Sequence, residues 1–429
     1  MKNLDLKSLS TRLVHSGFFH IFGSSTVNQF IQFAHGILII RFISKEDYGV
    51  YAYASNIYLF FLLFSGFGIL DAILQLSSEH ATNVRKSQDF INYGYYFGVR
   101  FNLFLAATIL IASYTVKLPV PGSNEILRIM FFLPVFLIIK NIQVISLRVS
   151  LRNKEYGTIN TFEAISSSVL TVVGAWLYQA RGIVFGQYVS LIVVMIVLWK
   201  HYGVSWAMNE ARLSKADKKD VFGIASISIL NNALSQVLTL VGTLILGMAH
   251  ADASSIASYK VASTIPMAMS VIPASLVIYV YPYFARNKNN RLWVAEKYAL
   301  LMALGGAGNL AIALGGIVLA VPIISIIFGA QYMDAVVPFR ILMISYFVSG
   351  TFRTVAGNLL VTQRKLKFNL FVGVLGAVVS IVLNILLIPT YGAIGAAWSQ
   401  LLTMMLTGVL ATVYFVVVIR TIKAETVEN

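Results

Sequence analysis

Uninterrupted apolar stretches of 18 or more residues recur along nearly the whole 429-residue chain, and this pattern limits the fold more than any other feature. A segment that long crosses the roughly 30 Å hydrocarbon layer as a helix, because lipid offers no partner for an unpaired peptide group. Twelve such spans fall near 13–40, 49–76, 90–115, 125–147, 159–179, 182–200, 221–248, 257–284, 294–320, 334–361, 368–388 and 393–419. With 58% hydrophobic and only 11% charged residues, an ordinary water-soluble globule is excluded. The first span carries Asn28, Gln29, Gln32 and His35 and no small-residue cleavage site, so it reads as a retained helix rather than a signal peptide. The expectation is an all-α membrane protein of twelve transmembrane helices.

The formal net charge of +15 would suggest nucleic acid in a soluble chain, but its placement argues for membrane topology instead. With the N-terminus in the cytoplasm, 22 of the 32 Lys and Arg fall on cytoplasmic segments and 7 on the opposite side. That bias satisfies the positive-inside rule, puts both termini in the cytoplasm and invites contact with anionic lipids. The remaining three, Arg100, Lys140 and Arg353, lie inside the spans. A cation at the bilayer centre costs about 2.5–3.5 kcal/mol on insertion scales, and such residues usually face a bundle interior or a wet path. At about 1.5 Å per residue, Arg100 lies about 21 Å beyond Lys86, Lys140 about 18 Å before Arg152 and Arg353 about 16 Å before Arg364. All three therefore share a level near mid-membrane, where guanidinium forks and an ammonium suit a phosphate. The competing use is internal pairing with Asp71 or Glu163; for Glu163, near the cytoplasmic end, Arg148 or Arg152 is the expected partner. Asp71 is also the candidate for proton or sodium coupling.

The chain reads as two related halves. Asn28 and Gln32 recur as Asn232 and Gln236 at an offset of 204, with Ser25 and Ser228 at 203. Tyr51 and Tyr259 agree at 208, Arg152 and Tyr156 match Arg364 and Phe368 at 212, and "GIVFGQ" (182–187) matches "GAAWSQ" (395–400) at 213. Six spans per half keep both halves in one orientation, a parallel repeat. The expected division is an N-terminal six-helix bundle at 1–200, a cytoplasmic connector at 201–220 and a C-terminal bundle at 221–429. The polar stripe of the first span, Asn28, Gln32 and His35, and that of the seventh, Asn232, Ser235, Gln236, Thr239 and Thr243, can line a cavity for sugar hydroxyls or bond neighbouring helices. Pro134, Pro266, Pro273 and Pro338 predict kinks. The glycines of span 9, 305 to 316, predict close helix packing.

Several chemistries have no basis in the sequence. There is no Cys, no His in metal-ligand spacing and no GxxxxGK[ST] loop for ATP, so no cofactor is expected and energy must come from an ion gradient, the membrane potential or substrate turnover.

"LIIRFISKEDYGVYAYAS" (38–55), "FSGFGILDAILQLSSE" (64–79), "PIISIIFGAQYMDAVVPFRIL" (322–342) and "LLIPTYGAIGAAWSQLL" (386–402) resemble bacterial polysaccharide flippases. The resemblance covers nearly the whole chain. It implies the polysaccharide-transport branch of the multidrug/oligosaccharidyl-lipid/polysaccharide exporter superfamily, whose members move lipid-linked repeat units for O-antigen, capsule or exopolysaccharide. By that resemblance the first helix of each half borders a central cavity, the substrate is an undecaprenyl-pyrophosphate-linked oligosaccharide, the site is the inner membrane, and other polysaccharide-assembly proteins are partners. Twelve spans rather than fourteen point away from the lipid II flippase branch. A drug/cation antiporter of the same fold and a polytopic glycan polymerase or ligase are the alternatives. The first wants an acidic cavity and the second a large outer loop.

Overall fold

Hydrocarbon leaves each backbone N–H and C=O to be satisfied within its own segment, and helices are the answer here. The computed structural model describes residues 18–204, 213–250 and 252–422, and no strand occurs among them. In order, the helices are α1 (Phe18–Phe42), α2 (Lys45–Leu62), α3 (Ile69–Glu79), α4 (Val84–Thr115), α5 (Ser123–Met130), α6 (Leu133–Val149) and α7 (Asn153–Lys200). Then come α8 (Lys215–His250), α9 (Ala253–Met269), α10 (Val271–Arg286), α11 (Arg291–Val318), α12 (Val336–Val348), α13 (Val355–Thr362) and α14 (Leu366–Thr421). Side chains close several of their N-termini: Ser44, Asn83, Asp252 and Asn290 each accept from a backbone N–H two or three residues on.

Helices and membrane crossings do not correspond one to one. α2 with α3, and α5 with α6, are single crossings bent by about 40°. Both bends are tied by Asn102 of α4, whose Oδ1 accepts from Gly66 N–H at 2.6 Å and whose Nδ2 donates to Pro134 O at 2.7 Å. At the first bend Gly66, Phe67 and Gly68 all have positive φ, which glycine adopts without Cβ strain. α7 and α14, at 48 and 56 residues, are too long for one crossing and each folds back on itself. In α7 the break is at Tyr178 and Gln179. Gly174 then meets Gly182 backbone to backbone, Gly186 lies on Leu170, and Ser166 bonds Ser190 at 3.2 Å. In α14 the break is at Gly392, with Gly395 against Leu387 and Ser399 donating to Ser380 O at 3.3 Å. Each is therefore an antiparallel pair, and with these pairs the described segments make twelve crossings at the places hydropathy indicates.

The internal repeat is visible in the backbone. Gln179 (φ 53, ψ −137) and Gly392 (φ 53, ψ −130) hold the same unusual conformation 213 residues apart. Leu151 (φ 54) and Arg364 (φ 57) repeat it at the preceding turn, closed in both copies by paired bonds, Leu151 N to Arg148 O and Arg152 N to Leu147 O, then Arg364 N to Val361 O and Lys365 N to Leu360 O. The structural equivalent of Arg364 is thus Leu151, one residue from the match the side chains suggest. Tyr51 bonds Gln187 at 3.0 Å, and Tyr259 bonds Gln400 at 3.2 Å, so the matched tyrosines meet the matched glutamines.

The chain divides into two compact units, 1–233 and 234–429. In the first, Ile73, Val99, Ile138 and Ile142 form a buried cluster that also takes Val221 and Ala225 of α8, and Phe222 packs edge-on against Phe97 at 5.0 Å. In the second, Val294, Leu359 and Phe415 anchor the core, with Tyr298 edge-on to Phe415 at 4.7 Å. Of the four prolines expected to kink helices, Pro134 and Pro338 sit in first turns and Pro273 just past the α9/α10 break, where a missing N–H costs little; Pro266 lies inside α9 near its end. The span-9 glycines divide: Gly316 lies on Met343 and Gly306 on Thr351, while Gly308 and Gly315 face open space.

Candidate functional site

Two polar stripes that hydropathy leaves inside apolar helices face each other in the first unit. From α1 come Asn28, Gln32 and His35, and from the first arm of α7 come Asn160, Glu163, Ser167 and Ser168. Together they wall a cavity of about 480 Å³. The spacing explains the alignment: residues three, four or seven apart share one face of a helix. His35 shares a 2.7 Å hydrogen bond with Thr171, which is fully buried, and so locks α1 to α7 at one end of the cavity. Behind the wall, Lys140 of α6 reaches Glu163, Nζ to Oε1, at 2.7 Å. Lys140 is only 8% exposed. The Glu163 side chain retains 27% exposure, so the carboxylate fronts the cavity and screens the ammonium from it. The Asn28 amide oxygen is shielded and has no hydrogen-bond partner among the described residues.

Lys140, Asn28 and Gln32 are thus brought together, joined by Glu163, which the sequence reading assigns to Arg148 or Arg152. That assignment is corrected. Arg152 pairs with Glu155, one turn along, and the Arg148 guanidinium lies 5.5 Å from the Tyr156 ring. Lys140 and Glu163 stand at equal distance on either side of the turn at Leu151 and Arg152, so antiparallel packing puts them at one depth. That symmetry was available in the sequence as a signal.

The other candidates lie elsewhere. Arg100 of α4 is exposed on the first unit, its guanidinium 3.5 Å from the centre of the Tyr96 ring, a cation–π contact. In the second unit Arg353 belongs to a π-helical turn, Ser349–Thr354, and is half-buried, with Nη1 3.3 Å from Met404 Sδ. Among the described residues neither arginine has a carboxylate within ion-pair distance. Asp71 of α3 is exposed, pairs with no described cation, and opens onto a separate cavity of about 490 Å³ shared with Gln75, Ser78, Arg148, Asn153 and Tyr156. The expected pairing of Asp71 with Arg100 or Arg353 is therefore absent among the described residues. Asn232 and Gln236 are exposed on α8, and Thr243 is fully buried with a hydroxyl that has no partner among the described residues. Ser25, Ser235 and Thr239 lie outside the residues whose side chains are described, as does 205–212 of the connector. No cluster of three metal-ligating side chains occurs among the described residues.

The family described as "Polysaccharide biosynthesis protein" matches residues 38–338, about seven-tenths of the chain. The chain belongs to this family. No curated protein matches it. Its fold is that of solved transporters of the MOP superfamily. An inward-facing multidrug resistance MATE family transporter superposes with a TM-score of 0.72 at 12% identity, covering 93% of this chain and 96% of the other. The lipid II flippase MurJ, in an inward closed conformation, gives 0.69 at 15% identity, covering 94% and 87%. A MOP superfamily transporter from Pyrococcus furiosus Vc1, described as having a binding pocket of reversed polarity, gives 0.59 at 10%, covering 95% and 96%. With its repeated apolar helices, the chain is a multi-pass membrane protein.

Proposed function

We propose that this chain is a flippase. It moves an undecaprenyl-pyrophosphate-linked oligosaccharide repeat unit across the cytoplasmic membrane for surface polysaccharide assembly, by alternating access of two six-helix bundles, 1–200 and 221–429, joined by a cytoplasmic connector at 201–220. Both termini are cytoplasmic, no covalent chemistry is performed, and the drive is an ion gradient, the membrane potential or substrate turnover, with Asp71 the candidate if a proton or sodium ion is coupled.

The physical obstacle is the headgroup. Each sugar hydroxyl costs several kcal/mol to strip of water into hydrocarbon, and the pyrophosphate adds charge. A protein that moves it needs hydroxyl-matching groups and uncommitted cations at membrane depth. Arg100 and Arg353 carry this reading: two guanidinium groups inside apolar spans, with no carboxylate among the described residues to neutralise them, in a member of a polysaccharide biosynthesis family. A multidrug antiporter of the same fold is the second reading. It wants a free acid for a cationic drug, but in the α1/α7 cavity Glu163 is already bound to Lys140.

The test is complementation of a flippase-deficient strain, scored by lipid-linked repeat units retained on the inner leaflet. Arg100→Ala and Arg353→Ala should each abolish export at normal membrane abundance. Normal export by both variants would remove the arginines from the mechanism, and failure of the unaltered chain against a panel of repeat-unit strains would refute the flippase reading.

A further inference from the structure

Within the second unit, three helices grip the π-helical turn that carries Arg353. From α11, Asn309 donates through Nδ2 to Thr351 Oγ1 at 3.2 Å and accepts through Oδ1 from the Tyr346 hydroxyl at 2.9 Å. From α14, the Thr412 hydroxyl donates to Phe352 O at 3.3 Å, and Gly408 lies against Phe352 Cβ and the Arg353 backbone N–H. From α10, Pro273 lies against Gly350. Asn309, at 5% exposure, and Tyr346 and Thr351, both at 4%, are buried. Asn309 thus joins two residues that are five apart on one helix. In an α-helix, five steps of about 100° each would set their side chains about 140° apart, on different faces. A π-turn closes its hydrogen bonds between residues five apart and brings such a pair to one face. One buried amide therefore holds both hydroxyls in the π register. Relaxing the turn to an α-helix would break one of the two bonds and strand a buried polar group, which is costly. Arg353 lies two residues beyond Thr351 on the same turn, so the same register sets the side on which its guanidinium leaves the helix.

We infer that Asn309 is a positioning residue for Arg353: through Thr351 and Tyr346, its amide keeps the turn in the register that presents the guanidinium to the carrier's pyrophosphate, without itself touching substrate. Arg353 has that ligand only on the flippase reading, on which the inference rests.

The experiment has two arms, both on the purified full-length protein in nanodiscs. The first measures binding of undecaprenyl pyrophosphate. Thr351→Val and Tyr346→Phe each remove one hydroxyl at nearly constant shape, and each should weaken binding about three- to tenfold, the value of one neutral hydrogen bond. Thr351→Ser keeps the hydroxyl and should bind as the unaltered protein does. With Arg353→Ala already in place, neither Thr351→Val nor Tyr346→Phe should weaken binding further. The second arm needs no carrier. The chain has no Cys, so a single Arg353→Cys reports the register directly. Its reaction with a water-soluble thiol reagent should slow about three- to tenfold when Thr351→Val or Tyr346→Phe is added. Carrier affinity unchanged in both variants, or an equal loss with and without Arg353, overturns the positioning role and leaves the flippase reading intact. A thiol rate that is unchanged or faster does the same. Carrier binding that Arg353→Ala does not weaken, or no binding by the unaltered protein, removes the reading of Arg353 and the inference with it.

Discussion

Breaking the Lys140–Glu163 pair from either side should give unequal losses that partly cancel when both partners change. At 2.7 Å and an effective dielectric constant of 20, the attraction is about 6 kcal/mol. Most of this is offset by desolvation, so the pair itself adds little, but an abandoned partner is costly. Glu163→Gln leaves Lys140, 8% exposed, charged against a neutral amide, and should cost about 3–5 kcal/mol. Lys140→Met leaves Glu163, whose side chain is 27% exposed to the cavity, where water or a proton can compensate; about 1–3 kcal/mol is expected. The double variant should fall about 2–3 kcal/mol short of the sum. The assay is unfolding in mixed micelles at rising dodecyl sulfate fraction, followed by circular dichroism. Additivity within about 0.5 kcal/mol, or a larger loss for Lys140→Met than for Glu163→Gln, would refute the argument.

The hairpin contacts make a second prediction. Gly182→Ala and Gly395→Ala, whose Cβ atoms would press on the opposing arm's backbone, should each cost about 1–3 kcal/mol, whereas Gly315→Ala, which faces open space, should leave the melting temperature unchanged. Gly392→Ala should cost about 1–3 kcal/mol by placing a Cβ at φ 53, ψ −130, read in the same melts. Outside the membrane, Lys86 at 2.9 Å holds the Asp217 carboxyl below its ordinary value of 3.8. A depressed carboxylate contributes stability that is present above the unfolded value and lost as pH falls through the folded one. Asp217→Asn should therefore reduce stability by about 0.2–1 kcal/mol at pH 7, and the difference should shrink as pH falls below the ordinary carboxyl value of 3.8, measured by thermal unfolding across pH. For transport, Arg353→Lys should restore part of the export that Arg353→Ala abolishes, because an ammonium lacks the paired donors; full restoration would show that charge alone suffices.

Depth was legible in the sequence, but direction around the helix was only partly so. Hydropathy places both fold-backs, since the gaps at 180–181 and 389–392 lie within a few residues of the breaks at Gln179 and Gly392. The repeat is read correctly where it rests on tight packing, as at Gly182 and Gly395. It slips by one residue at Arg152 and Arg364, where the shared feature is a backbone turn that any side chain can occupy. Asn28 and Gln32 were recognisable because amides at helical spacing are out of place among apolar neighbours. For Glu163 the depth match with Lys140 across the turn at 151–152 was readable but the choice of partner was not, because a charge pair across two helices depends on their rotation as well as depth, and three cationic residues compete for one carboxylate. The bends at Gly66 and Pro134 also depend on a distant residue, Asn102, whose role shows only when three helices are assembled.

The π-helical turn at Ser349–Thr354 amounts to one residue more than an α-helix of that rise would hold. Each residue advances a helix by about 100°, so deleting one residue there would straighten the segment and swing α13 by that angle relative to α12. The aim of Arg353 is therefore a matter of phase as well as position. A shortened homologue could keep the same arginine and still point it at a different neighbour.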